Sequence, residues 1–356
     1  MFLKTLRLHN FRNYDSFKVS FSPHINIICG KNAAGKTNLL EAISLISTGK
    51  SFRTLNLKEL IKHQKNFFFI EALIDNSGIS QLIKIYYDGK TKKITHNGNI
   101  YPSFTSLLGV LPSSLHTSDD INLIKGKPLL RRSFLNLDLA QKDPLYVHHY
   151  LRFSKALKHR NHLLKTNRAN LLKPFDIELS KSGAYLTHKR KIFLQDLQEP
   201  LSKILKNISL KKSEAKIKYQ SSIEIKEDVD CISEIYFNNL RQNQTKDLNF
   251  KTTMVGPHRD DFSLYLDGKC AKNFASEGQK KMLLYALRMA QLEKLSSRLD
   301  KKALFLIDDL DAHLDKNHKE NLKNALNSFS QVFITTPKTD ENFKNAHFIH
   351  LQKENI

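Results

Sequence analysis

Hydrophobic and polar residues alternate through the first third of the chain. Phe2-Leu3-Lys4-Thr5-Leu6-Arg7-Leu8 and Lys18-Val19-Ser20-Phe21 repeat with a period near two, the pattern of half-buried strands. His24-Ile25-Asn26-Ile27-Ile28-Cys29 reads as a buried strand running into Gly30, after which Leu39, Leu40, Ala42, Ile43, Leu45 and Ile46 take helical spacing. Residues 67–74, 81–87 and 92–95 predict further strands, with turns at Asn76-Ser77-Gly78, Asp88-Gly89 and Asn97-Gly98. From about 144 the period changes. Residues 144–168 and 176–207 are polar and lysine-rich with apolar residues at helical intervals, broken at Lys173-Pro174, and predict a helical insertion. Strand signals return near 214–224 and at Phe262-Ser263-Leu264-Tyr265-Leu266. A long amphipathic helix is predicted over 278–298. The apolar run Ala303-Leu304-Phe305-Leu306-Ile307 then ends in Asp308-Asp309, and Gln331-Val332-Phe333-Ile334-Thr335 forms another short buried strand. Apolar runs set between helices indicate a parallel sheet covered on both faces, hence an α/β fold.

Composition narrows the possible chemistry. A hydrophobic fraction of 40% over 356 residues is enough for a core, which excludes global disorder. Cys29, Cys231 and Cys270 are too few and too scattered for a disulfide framework or a paired-cysteine metal site. The N-terminus has no continuous apolar segment of the signal-peptide kind. No apolar run approaches the length of a membrane span, so a soluble cytoplasmic protein is expected, without a membrane partner. None of the histidines falls in a metal-protease spacing. The net charge of +22 predicts a polyanionic partner.

Gly30-Lys31-Asn32-Ala33-Ala34-Gly35-Lys36-Thr37 matches the Walker A pattern at every fixed position and lies between a buried strand and a helix. Gly30 and Gly35 let the backbone wrap closely around phosphate oxygens. Successive N–H groups and the positive end of the following helix then face the anion. Lys36 supplies a point charge to the β- and γ-phosphates of ATP, and the Thr37 hydroxyl takes a Mg²⁺ position. The strand Leu304-Phe305-Leu306-Ile307 delivers Asp308 and Asp309 in the Walker B arrangement. Asp308 would hold Mg²⁺, directly or through water, and Asp309 would orient or deprotonate the attacking water.

The two motifs are unusually far apart in the chain, and the segment before Walker B accounts for the distance. Ser276-Glu277-Gly278-Gln279 opens a helix and resembles the S-x-G-Q signature of ABC-type ATPases. It is equally a capping box, with Ser276 and Gln279 satisfying each other's backbone. The two readings are compatible, because a capped helix N-terminus is an anion site. In ABC ATPases that site meets the γ-phosphate held by the other protomer, so Ser276, Gly278 and Gln279 imply an ATP-dependent homodimer. Residues 312–315 fall where the D-loop should be, and Thr335 or Thr336 takes the switch position where many ABC proteins have histidine.

Leu8-His9-Asn10-Phe11-Arg12-Asn13-Tyr14, the P-loop helix, the string at 119–136 and Gly256-Pro257-His258-Arg259-Asp260-Asp261 together resemble the bacterial RecF family, head-only relatives of the SMC and Rad50 ATPases. The resemblance covers nearly the whole chain. It implies a P-loop ABC-type ATPase head, a mixed sheet flanked by helices, carrying an inserted, mainly helical second lobe. Residues 1–120 would form the first part of the ATPase lobe with Walker A and 121–250 the helical insertion. Residues 251–356 would return to the core with signature, Walker B and D-loop. The resemblance further implies an ATP-bound dimer on double-stranded DNA at junctions with single strands. It would serve gap repair, replication restart and the SOS response, help the mediators RecR and RecO place recombinase, and hydrolyse ATP slowly for release. By analogy with related heads, Arg12 would contact the nucleotide phosphates. His258, Arg259 and Asp260 belong to the most specific string of the resemblance, and no role for them follows from their chemistry. One departure is Asn32-Ala33-Ala34-Gly35, where Asn-Gly-x-Gly is commoner. It is expected to confine Ala33 to ordinary φ and tilt the loop. The glutamine of a Q-loop is also missing, and His116 to Asp120 is its expected region.

Two other classes share the P-loop, a transporter-type nucleotide-binding subunit and a small-molecule kinase. The basic charge and the 256–261 string argue against the first; in the second the signature helix would be only a capped helix, and the protein would phosphorylate a small acceptor as a monomer indifferent to DNA. The charge is unevenly placed: 20 basic against 10 acidic residues over 1–150, 17 against 5 over 151–220, and equal numbers in 221–300 and in 301–356. The insertion's Lys155, Lys158, Arg160, Lys189, Arg190 and Lys191 are therefore expected to join the N-terminal lobe in a DNA-facing surface.

Overall fold

The computed structural model describes residues 1–209, 213–299, 302–310, 316–337, 343 and 346–352. The chain opens with β1 (Phe2–Phe11), β2 (Tyr14–Ser20) and β3 (Ile25–Cys29), followed by α1 (Lys36–Thr48). Four strands of the alternating region come next: β4 (Phe68–Asn76), β5 (Ile79–Tyr87), β6 (Lys92–His96) and β7 (Asn99–Tyr101). β8 (Ser113–His116) ends the first segment. The helical region contains α2 (Ile121–Lys125), α3 (Pro128–Lys142), α4 (Pro144–Lys165) and α5 (Lys173–Ile208). Then follow β9 (Ala215–Gln220), α6 (Val229–Gln242), α7 (Gln244–Phe250), β10 (Asp261–Leu266), β11 (Lys269–Cys270) and α8 (Ala271–Phe274). The chain closes with α9 (Glu277–Leu299), β12 (Leu304–Ile307), α10 (Lys316–Leu326), β13 (Gln331–Thr336) and β14 (His347–His350).

Antiparallel and parallel pairing segregate into separate sheets. The alternating strands form a six-stranded antiparallel sheet, β2-β1-β4-β5-β6-β7. The apolar runs form a five-stranded parallel sheet, β14-β3-β13-β12-β8. Every residue of β3, β12 and β13 is buried, as the continuous apolar runs require. The two sheets share α1, whose residues from Leu39 to Thr48 are all buried. Leu39, Ile43 and Ile46 lie in one core cluster with Leu6 and Leu8 of β1, Ile70 of β4, and Leu304 and Phe333 of the parallel sheet. Each such side chain contributes about 1.5–3 kcal/mol on burial. Gln331 ties the sheets by polar contacts as well: its amide accepts from Leu3 N at 2.8 Å and donates to Leu3 O at 2.9 Å.

The chain separates into two compact units, Met1–Asp120 with Lys203–Lys212 and Lys281–Ile356, and Ile121–Ser202 with Ser213–Lys280. The return to the first unit therefore comes at 281, not at 251. The reason is strand pairing: β10 is antiparallel to β9 from Asp261↔Gln220 to Leu266↔Ala215, so residues 261–266 are held in the second unit's three-stranded sheet β11-β10-β9. That unit is otherwise helical. Its core joins α3, α5 and β10 through Phe134, whose ring lies 6.1 Å from Phe193 and 5.9 Å from Phe262.

Candidate nucleotide site

Parallel pairing places the C-terminal ends of β3, β13 and β12 side by side, and open α/β sheets bind ligands at that edge. The P-loop leaves β3, Asp308 and Asp309 leave β12, and Thr335 and Thr336 end β13. Together with Asn13, Asn38 and Arg53 they line a cleft of about 430 Å³, within the usual range of about 300–1,000 Å³ for small-ligand sites.

Gly35 caps α1 with φ 84, a left-handed conformation. A Cβ there would lie 2.7 Å from the Tyr14 hydroxyl oxygen, and that hydroxyl donates to Gly35 O at 3.0 Å, so only glycine fits. Ala33 also adopts φ 66. The expectation that alanine would hold ordinary φ and tilt the loop is thus wrong: the wrapped loop forms, and Ala33 carries the strain. The Lys36 ammonium donates to Gly30 O at 2.7 Å and Lys31 O at 3.0 Å, spanning the loop. Burial lowers its pKa from the ordinary lysine value, against the pull of Asp309 and Asp308.

Walker A and Walker B meet directly. The Thr37 hydroxyl donates toward Asp308 Oδ1 and Oδ2 at 3.0 and 3.2 Å. The Thr335 hydroxyl donates to Asp308 Oδ1 at 2.7 Å and accepts from Asp309 N at 2.8 Å. One threonine hydroxyl beside a carboxylate gives hard oxygen donors of the kind Mg²⁺ prefers, so Thr37 and Asp308 fit that ion. The D-loop at 312–315 lies outside the described residues.

Two expected contributors stand elsewhere. Arg12 is committed to a buried carboxylate: its Nε and Nη2 donate to Glu41 at 2.8 and 2.7 Å, and Nη1 donates to Glu59 O at 2.9 Å. The arginine among the cleft residues is Arg53, not Arg12. It donates to Asn38 Oδ1 at 2.7 Å, and Asn38 in turn donates to Asn13. The region His116 to Asp120 lines no part of the cleft. His116 O accepts from Asp308 N at 2.9 Å, while Asp120 is gripped by Arg288 at 2.8 and 2.9 Å. Burial alone would raise the Asp120 carboxyl, but Arg288 and His116 hold it well below the usual carboxylate range. This region fastens the Walker B strand from the neighbouring β8.

Ser276 to Gln279 form the capping box in full. Ser276 N donates to Gln279 Oε1 at 2.8 Å and Gln279 N to Ser276 Oγ at 3.2 Å. All four residues are exposed, and a Cβ at Gly278 would meet nothing within 4 Å. A capped helix N-terminus of α9 is therefore open to solvent. The 256–261 string is a locked turn. Gly256 has φ 124, and a Cβ there would fall 1.9 Å from the Tyr236 hydroxyl oxygen. Asp260, almost fully buried, accepts from Tyr219 at 2.6 Å and from Ser222 N at 3.0 Å. His258 Nε2 donates to Thr253 O at 2.9 Å, and Arg259 donates to the same carbonyl. Asp261 takes the Arg131 fork at 2.6 and 2.8 Å, and Arg132 donates to Asp260 O at 3.0 Å. The strings at 119–136 and 256–261 thus clasp each other.

The basic cluster of the insertion divides. Arg160 is fully buried and pairs with Asp176 and Asp247, each at 2.6 Å. Arg190 is buried against Pro257 O, Asn136 and Tyr146. Neither guanidinium is available to a DNA backbone, which corrects the expectation for both: they are structural cations. Lys155 and Lys158 are exposed on α4, Lys191 is half-buried, and Lys189 pairs with Asp143 at 3.3 Å.

The family model described as RecF/RecN/SMC N terminal domain matches residues 2–355. DNA replication and repair protein RecF of Protochlamydia amoebophila is 39% identical over 344 residues, 96% of this chain and 95% of that one. The RecF of Bacillus cereus (strain G9842) is 33% identical over 363 residues, covering 99% and 97%. Among solved structures, the recombination mediator protein RecF in the RecFOR pathway superposes as RecF-ATPrS with TM-score 0.91 at 32% identity, over 99% of this chain and 96% of that one. As RecF-ATP it superposes with TM-score 0.88 at 33% identity, over 96% and 93%. An SMC head bound to the C-winged helix domain of ScpA gives TM-score 0.58 at 16% identity over 98% and 94%, a likeness of fold alone. With the ABC-type ATPase head fold and such matches along nearly its full length, the chain belongs to the bacterial RecF family.

Proposed function

We propose that this chain is an ATP-dependent DNA-binding protein of recombinational gap repair and replication restart. The observation that carries the reading is the junction of Walker A with Walker B, Thr37 to Asp308 at 3.0 Å across 271 positions of sequence. In the cleft the α1 N-terminus and loop N–H groups receive the phosphates of ATP. Lys36 exchanges its two loop carbonyls for phosphate oxygens, a gain for an ammonium that is half-buried and, among the described residues, hydrogen-bonded to neutral acceptors. Thr37 and Asp308 would hold Mg²⁺, whose charge would offset that of the phosphates. Asp309, exposed at the cleft, orients the attacking water, and Arg53 faces the same space.

The exposed, capped N-terminus at Ser276, Gly278 and Gln279 supplies the other half of the site from a second copy of the chain, so ATP closes a homodimer. That dimer binds duplex DNA near single-strand gaps. Lys155 and Lys158 contribute backbone contacts, and Lys189 and Lys191 add to them. RecR and RecO act with it to place recombinase, and slow hydrolysis releases the dimer. Support comes from the relatives, named as DNA replication and repair proteins and as a recombination mediator of the RecFOR pathway.

A sizing experiment with and without ATP and gapped DNA tests this reading on wild type, Lys36→Ala and Ser276→Ala. Wild type should dimerise only with ATP. Both variants should stay monomeric, with Ser276→Ala still binding nucleotide. A wild type that remains monomeric at saturating ATP and DNA refutes the dimer.

A further inference from the structure

We infer that Thr335 is a positioning residue that sets both Walker B carboxylates through one hydroxyl, an inference that rests on the ATPase reading above. β13 lies between the P-loop strand and the Walker B strand: Thr335 pairs with Ile28 of β3, and Ile334 pairs with Ile307 of β12. Thr335 is therefore the first residue of β13 beyond that pair, level with Asp308, and it is buried. Its Oγ1 uses both of its capacities. It donates to Asp308 Oδ1 at 2.7 Å and accepts from Asp309 N at 2.8 Å.

The turn that follows β12 is fastened at three successive N–H groups. Asp308 N donates to His116 O, Asp309 N to Thr335 Oγ1 and Leu310 N to Thr335 O at 3.3 Å. Two of the three anchors belong to Thr335. Asp309 stands at φ 61, a conformation that a non-glycine residue leaves readily unless it is held. Held there, it is exposed at the cleft, while Asp308 Oδ1 takes both the Thr335 and the Thr37 hydroxyls and Oδ2 lies 3.2 Å from Thr37. The geometry makes the Thr335 hydroxyl a shared hold on the metal-ligand carboxylate and on the backbone of the water-orienting residue, beside the Thr37 contact to Asp308. Thr336, which also lines the cleft, pairs with Cys29 one step further along β13 and makes neither of these two contacts.

The hydroxyl can be removed without changing shape. Thr335→Val keeps the volume and deletes the oxygen. Thr335→Ser keeps the oxygen and deletes the methyl, and Thr335→Ala is read beside Val in case packing decides folding. Three quantities are measured: kcat and KM for ATP with DNA present, ATP affinity with Mg²⁺ and with EDTA, and Mn²⁺ binding to the ATP complex by electron paramagnetic resonance. Partners that orient a metal ligand typically change affinity or activity about 10- to 100-fold. Thr335→Val and Thr335→Ala should lose kcat on that scale with KM within about threefold, because Lys36 and the loop N–H groups remain. The gain in ATP affinity on adding Mg²⁺ should shrink in both, and Thr335→Ser should restore kcat and metal dependence. A Val variant with wild-type kcat and wild-type Mn²⁺ binding overturns the inference, as does a Ser variant as impaired as Val. If wild type turns over no ATP, the hydrolysis reading fails, and the Mg²⁺ and Mn²⁺ measurements still decide the role of Thr335.

Discussion

Ala33 offers a test of backbone conformation in the phosphate loop. It is exposed and stands at φ 66 in the middle of the P-loop. An L-residue in this left-handed region suffers a Cβ-to-carbonyl repulsion of roughly 1–2 kcal/mol, which glycine avoids. Against that, glycine adds about 0.4–1 kcal/mol of freedom that the ordered loop must give up. The difference favours Ala33→Gly by about 0.5–1 kcal/mol in every state where the loop is wrapped. Nucleotide binding requires the wrapped state, so ATP affinity should tighten by up to about two- to fivefold, in proportion to how far the free alanine loop leaves that state. Ala33→Val reverses the sign, because a β-branched side chain tolerates this region worst, and it should weaken binding about tenfold or more. Titration of a fluorescent ATP analogue against the three proteins, with EDTA to keep Mg²⁺ out of the comparison, reads both effects. Equal affinity for alanine, glycine and valine would refute the strain argument.

Two further outcomes follow from the second unit. Arg160→Met leaves Asp176 and Asp247 buried without their cation. That should cost about 3–5 kcal/mol in denaturant unfolding followed by circular dichroism, whereas Lys155→Ala with Lys158→Ala should leave stability unchanged and flatten the salt dependence of DNA affinity by about 0.9 per lysine in log–log slope. Burial lowers His258 to about 4 from an ordinary 6.5, so between those values the unfolded chain binds a proton that the folded one refuses. Its contribution is complete above pH 6.5 and is lost as the pH falls toward 4. Stability should drop by about 2 kcal/mol between pH 7 and pH 5 from this group, and His258→Gln should remove that part of the slope.

What could be read from the residues and what could not differ in kind. The parallel sheet was legible because β3, β12 and β13 are buried on both faces, and burial on both faces writes an unbroken apolar run. The P-loop was legible because each fixed position answers to a local demand of phosphate and backbone. Charge was read less well, because a formal charge in a sequence carries no sign of its depth. Arg160 and Arg190 sit in helices among lysines that reach solvent, yet each meets partners far along the chain, at Asp247 and at Pro257. Arg12 shows the same effect: Glu41, four residues beyond Thr37 on α1, takes the guanidinium of the arginine that the family pattern favours and also lies 3.8 Å from Arg53. Thr335 shows the limit most plainly. Its position at the end of a buried strand could be counted from the pattern, but its double hydrogen bond depends on how β13 registers against β12, a relation that no single segment contains. A site assembled at the shared edge of several strands is written locally in its phosphate-binding loop and non-locally in everything that aims the carboxylates.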